Sequence, residues 1–411
     1  MKARRNVKVR LCASILALIV LPLATLSAQA SGGVEASYHG QMGFGTGLGM
    51  LEKWCALPNF SYLQEGGIDG WSDTSLRNCS TCHIGVPFGN DPWDPTDEQS
   101  ALVCGKCHTS GTPTDLDHEV KAGGCMSCHK KDKAKRGDDF TEFNDVHIAA
   151  GFLCHDCHSI HDDGTSDHQF LKGTSIDTSE TTMMGTLDCT LACHNGDEHG
   201  LQPHDDETAK GATLNGHTDK VACETCHTGL RPNKALARRQ WNVLTRASED
   251  DPIVPLTTWR DPGWEPVYKW YDNTGPGASG DNHLPILSYT ERRGAPGAKI
   301  YPFNAVSVDW FVRTKNSAYD DIIKVPDVFA ADENGDGIVT VEEMRLVYRH
   351  ATLKTADMNF SISHSVLPAT DALDCDDCHT RLGTVLNWEQ LGYEGDPREP
   401  EDDGKVKKPK K

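Results

Sequence analysis

The stretch Leu214-Asn-Gly-His217-Thr-Asp-Lys-Val-Ala-Cys223-Glu-Thr-Cys226-His227 packs two cysteines and two histidines into a short run. Its core, Cys223-x-x-Cys226-His227, recurs along the chain. The other copies are Cys79-x-x-Cys82-His83, Cys104-x-x-Cys107-His108, Cys125-x-x-Cys128-His129, Cys154-x-x-Cys157-His158 and Cys375-x-x-Cys378-His379. A seventh copy, Cys189-x-x-x-Cys193-His194, carries one extra residue between its cysteines. Fourteen of the 16 cysteines therefore sit in pairs followed at once by histidine.

This spacing is the attachment motif of c-type haem. Two thiols about a turn apart add to the two vinyl groups of the porphyrin, and the adjacent histidine reaches under the ring to the iron. Zinc is a competing reading, because paired Cys-x-x-Cys motifs also build structural zinc sites. Zinc, however, does not require a histidine directly after every pair. Disulfides are a third, but cysteines two residues apart rarely staple a fold. Seven covalent haems are the expectation. Cys12 and Cys55 stand outside the motifs, and a buried or contact thiol is the expected role for Cys55.

The chain has 19 histidines, seven of them in motifs. A second histidine makes haem iron six-coordinate and low-spin, which suits electron transfer. The candidate distal ligands are His39, His118, His147, His204, His217 and His364. His155, His161, His168, His199, His283 and His350 complete the set.

Lys2, Arg4, Arg5, Lys8 and Arg10 precede an almost wholly apolar run, Leu11 to Leu26, and then Ala28-Gln29-Ala30. That order is the grammar of a secretory signal peptide over 1–30. Export agrees with the motifs, because haem is attached after export. The expected location is the periplasm, the cell surface or the extracellular space, with no membrane span in the mature chain. With 60 acidic against 40 basic residues, the net charge is −20. A chain this acidic repels nucleic acid, whose binding rests on cationic side chains displacing phosphate counterions.

Six motifs crowd residues 79–227, so porphyrins must form much of the core there. Gly, Asp and Thr interrupt every apolar run in that part. The expected fold is a multihaem c-type cytochrome of mainly short α-helices and loops packed around haems. It has little β-structure and one EF-hand-like calcium loop. The expected organisation is a hexahaem region over 31–230, an aromatic-rich region with the calcium loop and seventh haem over 231–395, and a disordered tail over 396–411. In the second region the many tryptophans and tyrosines are expected to pack against haem faces.

The calcium loop is Asp332-Glu-Asn334-Gly-Asp336-Gly337-Ile338-Val-Thr340-Val-Glu-Glu343. Asp332, Asn334 and Asp336 fall at ligand positions one, three and five, and Gly337 permits the turn at six. The Ile338 carbonyl serves position seven, Thr340 position nine, and Glu343 closes the loop bidentately at twelve. A lone loop of this kind is expected to be a structural staple rather than a sensor.

Several stretches together resemble the octahaem tetrathionate reductase family of multihaem cytochromes. They are Cys79-Ser-Thr-Cys82-His83-Ile84-Gly85, Asp145-Val146-His147, the stretch Leu214 to His227, Ala298-Lys-Ile-Tyr-Pro302-Phe303, Ile362-Ser-His364 leading into Cys375-Asp-Asp-Cys378-His379, and Leu391-Gly392-Tyr393. The resemblance spans residues 79 to 395. It implies mostly bis-histidine haems and one haem with an open or unusual ligand set, lysine in place of histidine. At such an iron tetrathionate, nitrite or hydroxylamine is reduced. The chain departs from the family in having seven motifs rather than eight, with none before Cys79.

Three functional readings follow. The first is an electron-transfer cytochrome whose partners are other cytochromes or a quinol-oxidising membrane complex. The second is a terminal reductase of a small sulfur or nitrogen oxyanion, with Arg231, Arg238 and Arg239 available to steer the anion. The third is a polymerising filament subunit.

Overall fold

A computed structural model describes residues 124–129, 132–137, 139–158, 172–173, 186–187, 189–194, 204–205, 207–245, 254–271, 283–284, 293–313, 320–323, 325–379 and 385–398. The signal segment 1–30, the motifs Cys79–His83 and Cys104–His108, His39, His118 and residues 399–411 lie outside them.

The expectation of little β-structure is wrong. The described residues hold a mixed seven-stranded sheet, and strand and helix content are about equal. Its strands are β3 (Ala235–Thr245), β4 (Val254–Arg260), β5 (Val267–Tyr271), β6 (His283–Leu284), β7 (Lys299–Arg313), β8 (Asp320–Ile322) and β9 (Ala351–Ser361). Two short strands, β1 (Lys172–Gly173) and β2 (Thr186–Leu187), pair separately.

β7 organises the sheet. Its sequence is rich in β-branched and aromatic residues, which fit a pleated surface. β9 pairs antiparallel with it from Phe303 to Arg313. Three shorter partners meet β7 in turn along its length. Phe303 also pairs with Val267 of β5, Asp309 with Gln240 of β3, and Val312 with Ile322 of β8. β3 runs parallel to β7, and β4 pairs antiparallel with β3.

Two apolar clusters sit at opposite ends of β7. One gathers Tyr268, Trp270, Ala298, Ile300, Leu386 and Leu391 around Cys378 of the seventh motif. The other gathers Phe311, Ile323, Val328, Val339, Met344 and Ala351 beside the calcium-loop sequence. Both faces of β7 are therefore covered, and its run Ile300–Asn304 is buried without interruption. The aromatics of this region pack mainly within the sheet, as in the Trp241–Trp310 stack at 5.7 Å.

The helices are short. Met126–His129, Cys154–His158, Cys189–Ala192, Cys223–His227 and Cys375–Cys378 each coincide with a motif. Helices of four or five residues are not stable alone in water, so these depend on what packs against them. Asp374 supplies one local reason for the last of them: it caps the helix reciprocally with Asp377. Among the described residues, no helix is long and apolar enough to cross a membrane.

Candidate functional site

The sixth motif is riveted to the start of β7. Ala222 N–H and Thr225 Oγ1 both donate to the Ile300 carbonyl, at 3.0 and 2.7 Å. Ile300 N–H returns a bond to Lys220 at 2.7 Å. Glu224, inside the motif, is buried and accepts from the Tyr301 hydroxyl. The segment carrying His364 crosses the same helix, with Leu367 N–H donating to the His227 carbonyl at 2.7 Å.

Four motif histidines each face a second histidine. His158 lies 6.0 Å from His364, His194 lies 6.1 Å from His147, His227 lies 6.4 Å from His204, and His379 lies 6.2 Å from His217, centroid to centroid. The separations repeat closely, although the partners come from unrelated parts of the chain. Sequence distance does not predict them. His147 stands before the fourth motif yet faces the fifth, and His217 stands before the sixth yet faces the seventh.

The outer nitrogens of several rings are held by protein. His204 Nδ1 lies 2.8 Å from Asn215 Oδ1, and Asn215 Nδ2 donates back to the His204 carbonyl. The helix Ala209–His217 thus carries His217 at its end and positions His204 through Asn215. His379 Nδ1 lies 2.6 Å from Asp396 Oδ1. His364 Nδ1 lies 3.2 Å from Ser363 Oγ. Asp145 caps the turn carrying His147 and also accepts from Val366 N–H, which ties the His147 and His364 segments together. His364 is flanked by the two described non-glycine residues with positive φ, Phe140 (49°) and Ser365 (60°). The Phe140 ring lies 4.7 Å from His364. Strained backbone of this kind persists where the surrounding structure fixes it and clusters at functional sites.

Burial pushes the His194, His217 and His227 rings below their ordinary value, and neighbouring histidines push the same way. Neutral imidazole is the metal-binding form. Imidazole nitrogens bind metals at about 2 Å, and a ring centroid lies about 1.2 Å behind each nitrogen, so two rings across one metal stand about 6 Å apart. The four pairs have that spacing, so the residues present fit an iron with two axial histidines.

The motifs also meet one another in chain order. Cys154 is drawn below its ordinary value chiefly by hydrogen bonding with Cys125 of the third motif. Cys157 is pushed up by burial and by Cys193 of the fifth motif. Cys189 Sγ lies 4.0 Å from Glu224 in the sixth. Burial raises Cys226 to about 11 and Cys378 to about 12; Cys375 of the seventh motif adds to the first shift and Cys226 adds to the second. Zinc needs thiolates, and these two thiols sit where the thiolate is disfavoured. Among the described residues, no three metal-binding side chains converge on one point.

Comparisons with known proteins agree with this geometry. Residues 96–170 match the Cytochrome c3 family. The fold is similar to the crystal structure of octaheme cytochrome c from Shewanella oneidensis, with a TM-score of 0.52 and 21% identity over 79% of this chain and 82% of that chain. The chain has the fold of a multihaem c-type cytochrome. No curated protein matches it.

Within this cytochrome fold the three arginines noted in the sequence do not form an open funnel. Arg231 and Arg239 are buried, and Arg238 pairs with Asp309 at 2.8 Å. Arg231 Nη1 instead reaches the His364 carbonyl at 3.4 Å.

The calcium-loop sequence folds as a tight loop against β3. Leu244 N–H donates to the Gly337 carbonyl, and Val339 N–H donates to the Asn242 carbonyl. A Cβ on Gly337 would lie 2.7 Å from the Leu244 carbonyl oxygen, so only glycine fits there. Asn334 and Asp336 accept from backbone N–H groups of the loop. Glu343 accepts from Thr340 N–H and Oγ1, both at 2.8 Å, in a capping box. Asp332 Oδ1 is buried with no hydrogen-bond partner.

Sequence reasoning missed Asp396, Asn215, Tyr301 and the role of Asp145. The Glu inside the sixth motif and the Tyr of Ala298–Phe303 both fall in stretches that carry the family resemblance, but nothing in their spacing pairs them. Asp396 follows a Gly in a Pro- and charge-rich run, which reads as tail.

Proposed function

We propose that this cytochrome is an exported electron carrier with seven covalently attached haems, of which the fourth to the seventh each take two axial histidines. The observation that carries the reading is the set of four histidine pairs with nearly equal separations. In this reading, His158 pairs with His364, His194 with His147, His227 with His204, and His379 with His217. The motif cysteines hold the porphyrin edges. Haem supplies a one-electron couple, and six-coordinate iron changes its oxidation state without exchanging a ligand. The contacts from the third motif through to the seventh support a single row, along which an electron moves between neighbouring motifs. The N-terminal segment supports export, and the partners are redox proteins.

The reductase reading needs an iron with an exchangeable position. Four of the seven motif histidines face a second histidine, which leaves that role to Cys79–His83, Cys104–His108 or Cys125–His129. The buried and paired arginines offer no anion path to the described motifs.

Low-temperature EPR of the air-oxidised, haem-loaded protein tests the carrier. Low-spin signals alone, unmoved by nitrite, hydroxylamine or tetrathionate, are expected. A high-spin ferric signal that responds to one of those molecules overturns the carrier in favour of the reductase. A mass increment of fewer than seven haems overturns the haem count.

The loop Asp332–Glu343 is proposed to bind calcium. The unpartnered Asp332 oxygen supports this, as do the sharp turn at Gly337 and the helix leaving through Glu343. Calcium-binding loops of this type usually occur in pairs that share a short β-bridge. Here β3 supplies the bridge, through Val243 and Ile338.

A further inference from the structure

We propose that Asp396 is a positioning residue for His379 and lowers the reduction potential of the haem attached at Cys375 and Cys378. The inference rests on the haem reading above and adds a determinant that the motifs do not contain.

The His379 side chain is 13% exposed and that of Asp396 is 8% exposed, with Nδ1 and Oδ1 2.6 Å apart. The carboxylate is itself fixed, because the same oxygen accepts from Arg398 N–H at 2.9 Å. Trp388 stacks on the His379 ring at 5.3 Å and donates its indole N–H to the Cys378 carbonyl. The ring is therefore clamped with Nδ1–H directed at a negative charge and Nε2 left for metal.

The outer nitrogens of His204 and His147 meet weaker acceptors. His204 meets the neutral amide of Asn215, and His147 lies 3.6 Å from Asp145. A buried carboxylate accepting the outer N–H makes the ring a stronger donor to its metal. Low dielectric strengthens that bond. A stronger donor favours the ferric state and lowers the potential. The seventh haem then holds an electron less readily than it would without the Asp396 carboxylate.

The test is a spectroelectrochemical titration of the full, haem-loaded chain, comparing the parent with Asp396→Asn. Asparagine keeps the acceptor oxygen but removes the charge. One component is expected to rise at least tenfold in its redox equilibrium, 59 mV for one electron, while the others stay in place. If no component moves, or all move together, the inference fails. Should the asparagine variant fail to load haem, Asp396→Glu decides, because it keeps the charge and displaces the acceptor. A shift confined to one component then supports the inference, and no shift overturns it. The parent's mass and low-spin EPR are read first, so failure of the haem reading is visible separately.

Discussion

The Tyr301 hydroxyl donates to Glu224 Oε1 at 2.9 Å, joining β7 to the middle of the sixth motif in a buried space. Bonds to a charged acceptor contribute about 1.5–3 kcal/mol. Tyr301→Phe should lower unfolding stability by about that amount. Haem content by mass should stay the same, because no cysteine or histidine is touched. A chemical-denaturation curve checks it, and an unchanged midpoint would show that the bond contributes nothing.

Asp145 joins two ligand-bearing segments. Burial raises its carboxyl, but the hydrogen bonds from His147, Val366 and Ile148 outweigh burial, and the net result is a fall from 3.8 to about 2. A depressed carboxyl stabilises the fold above its unfolded value and loses that contribution as pH falls through the folded one. Asp145→Asn should therefore be less stable than the parent at neutral pH. The gap should close as pH falls from 3.8 towards 2. Urea midpoints across that range measure it, and a gap independent of pH would argue that the charge plays no part.

His217→Ala removes one ring of the His217–His379 pair and leaves every thiol in place. One high-spin ferric signal should appear in EPR, with haem mass unchanged. Adding imidazole should return that signal to low spin. Combining the change with Asp396→Asn should shift the potential of the newly high-spin haem. A high-spin haem indifferent to Asp396→Asn would place His217 on a different iron.

Calcium should raise the melting temperature of the parent, and Glu343→Gln should shrink the gain. Gly337→Ala tests the loop's seat on β3 even without calcium. With φ at 79° and a carbonyl oxygen 2.7 Å from the new Cβ, it should cost about 1–3 kcal/mol. A melting temperature blind to calcium would leave the loop as a structural turn only.

The seven motifs and the pool of candidate histidines were legible because covalent haem attachment demands a fixed spacing of residue types. The sheet was not. β7 is covered on both faces, so its apolar residues run on instead of alternating, and the period-two signal of a strand is lost. Trp241 and Trp310 read as haem packing, yet they stack on each other within the sheet. Histidine pairing was equally hidden, since His147 and His217 each sit just ahead of one motif and face the next. Asp396 carried no signal at all, because its importance comes from the chain folding back over Trp388.

The rivet between Ile300 and the sixth motif bears on how the molecule assembles. His217 and His379 come from opposite ends of the segment that builds the whole sheet. They can meet only after β7 has found Lys220 and Ala222 and the last motif has settled on Trp270. Contacts between residues so distant in sequence form late and slowly. Closure of this histidine pair therefore reports completion of the sheet. A refolding experiment that follows spin state should see the final haem reach six-coordination last, at the rate set by strand assembly.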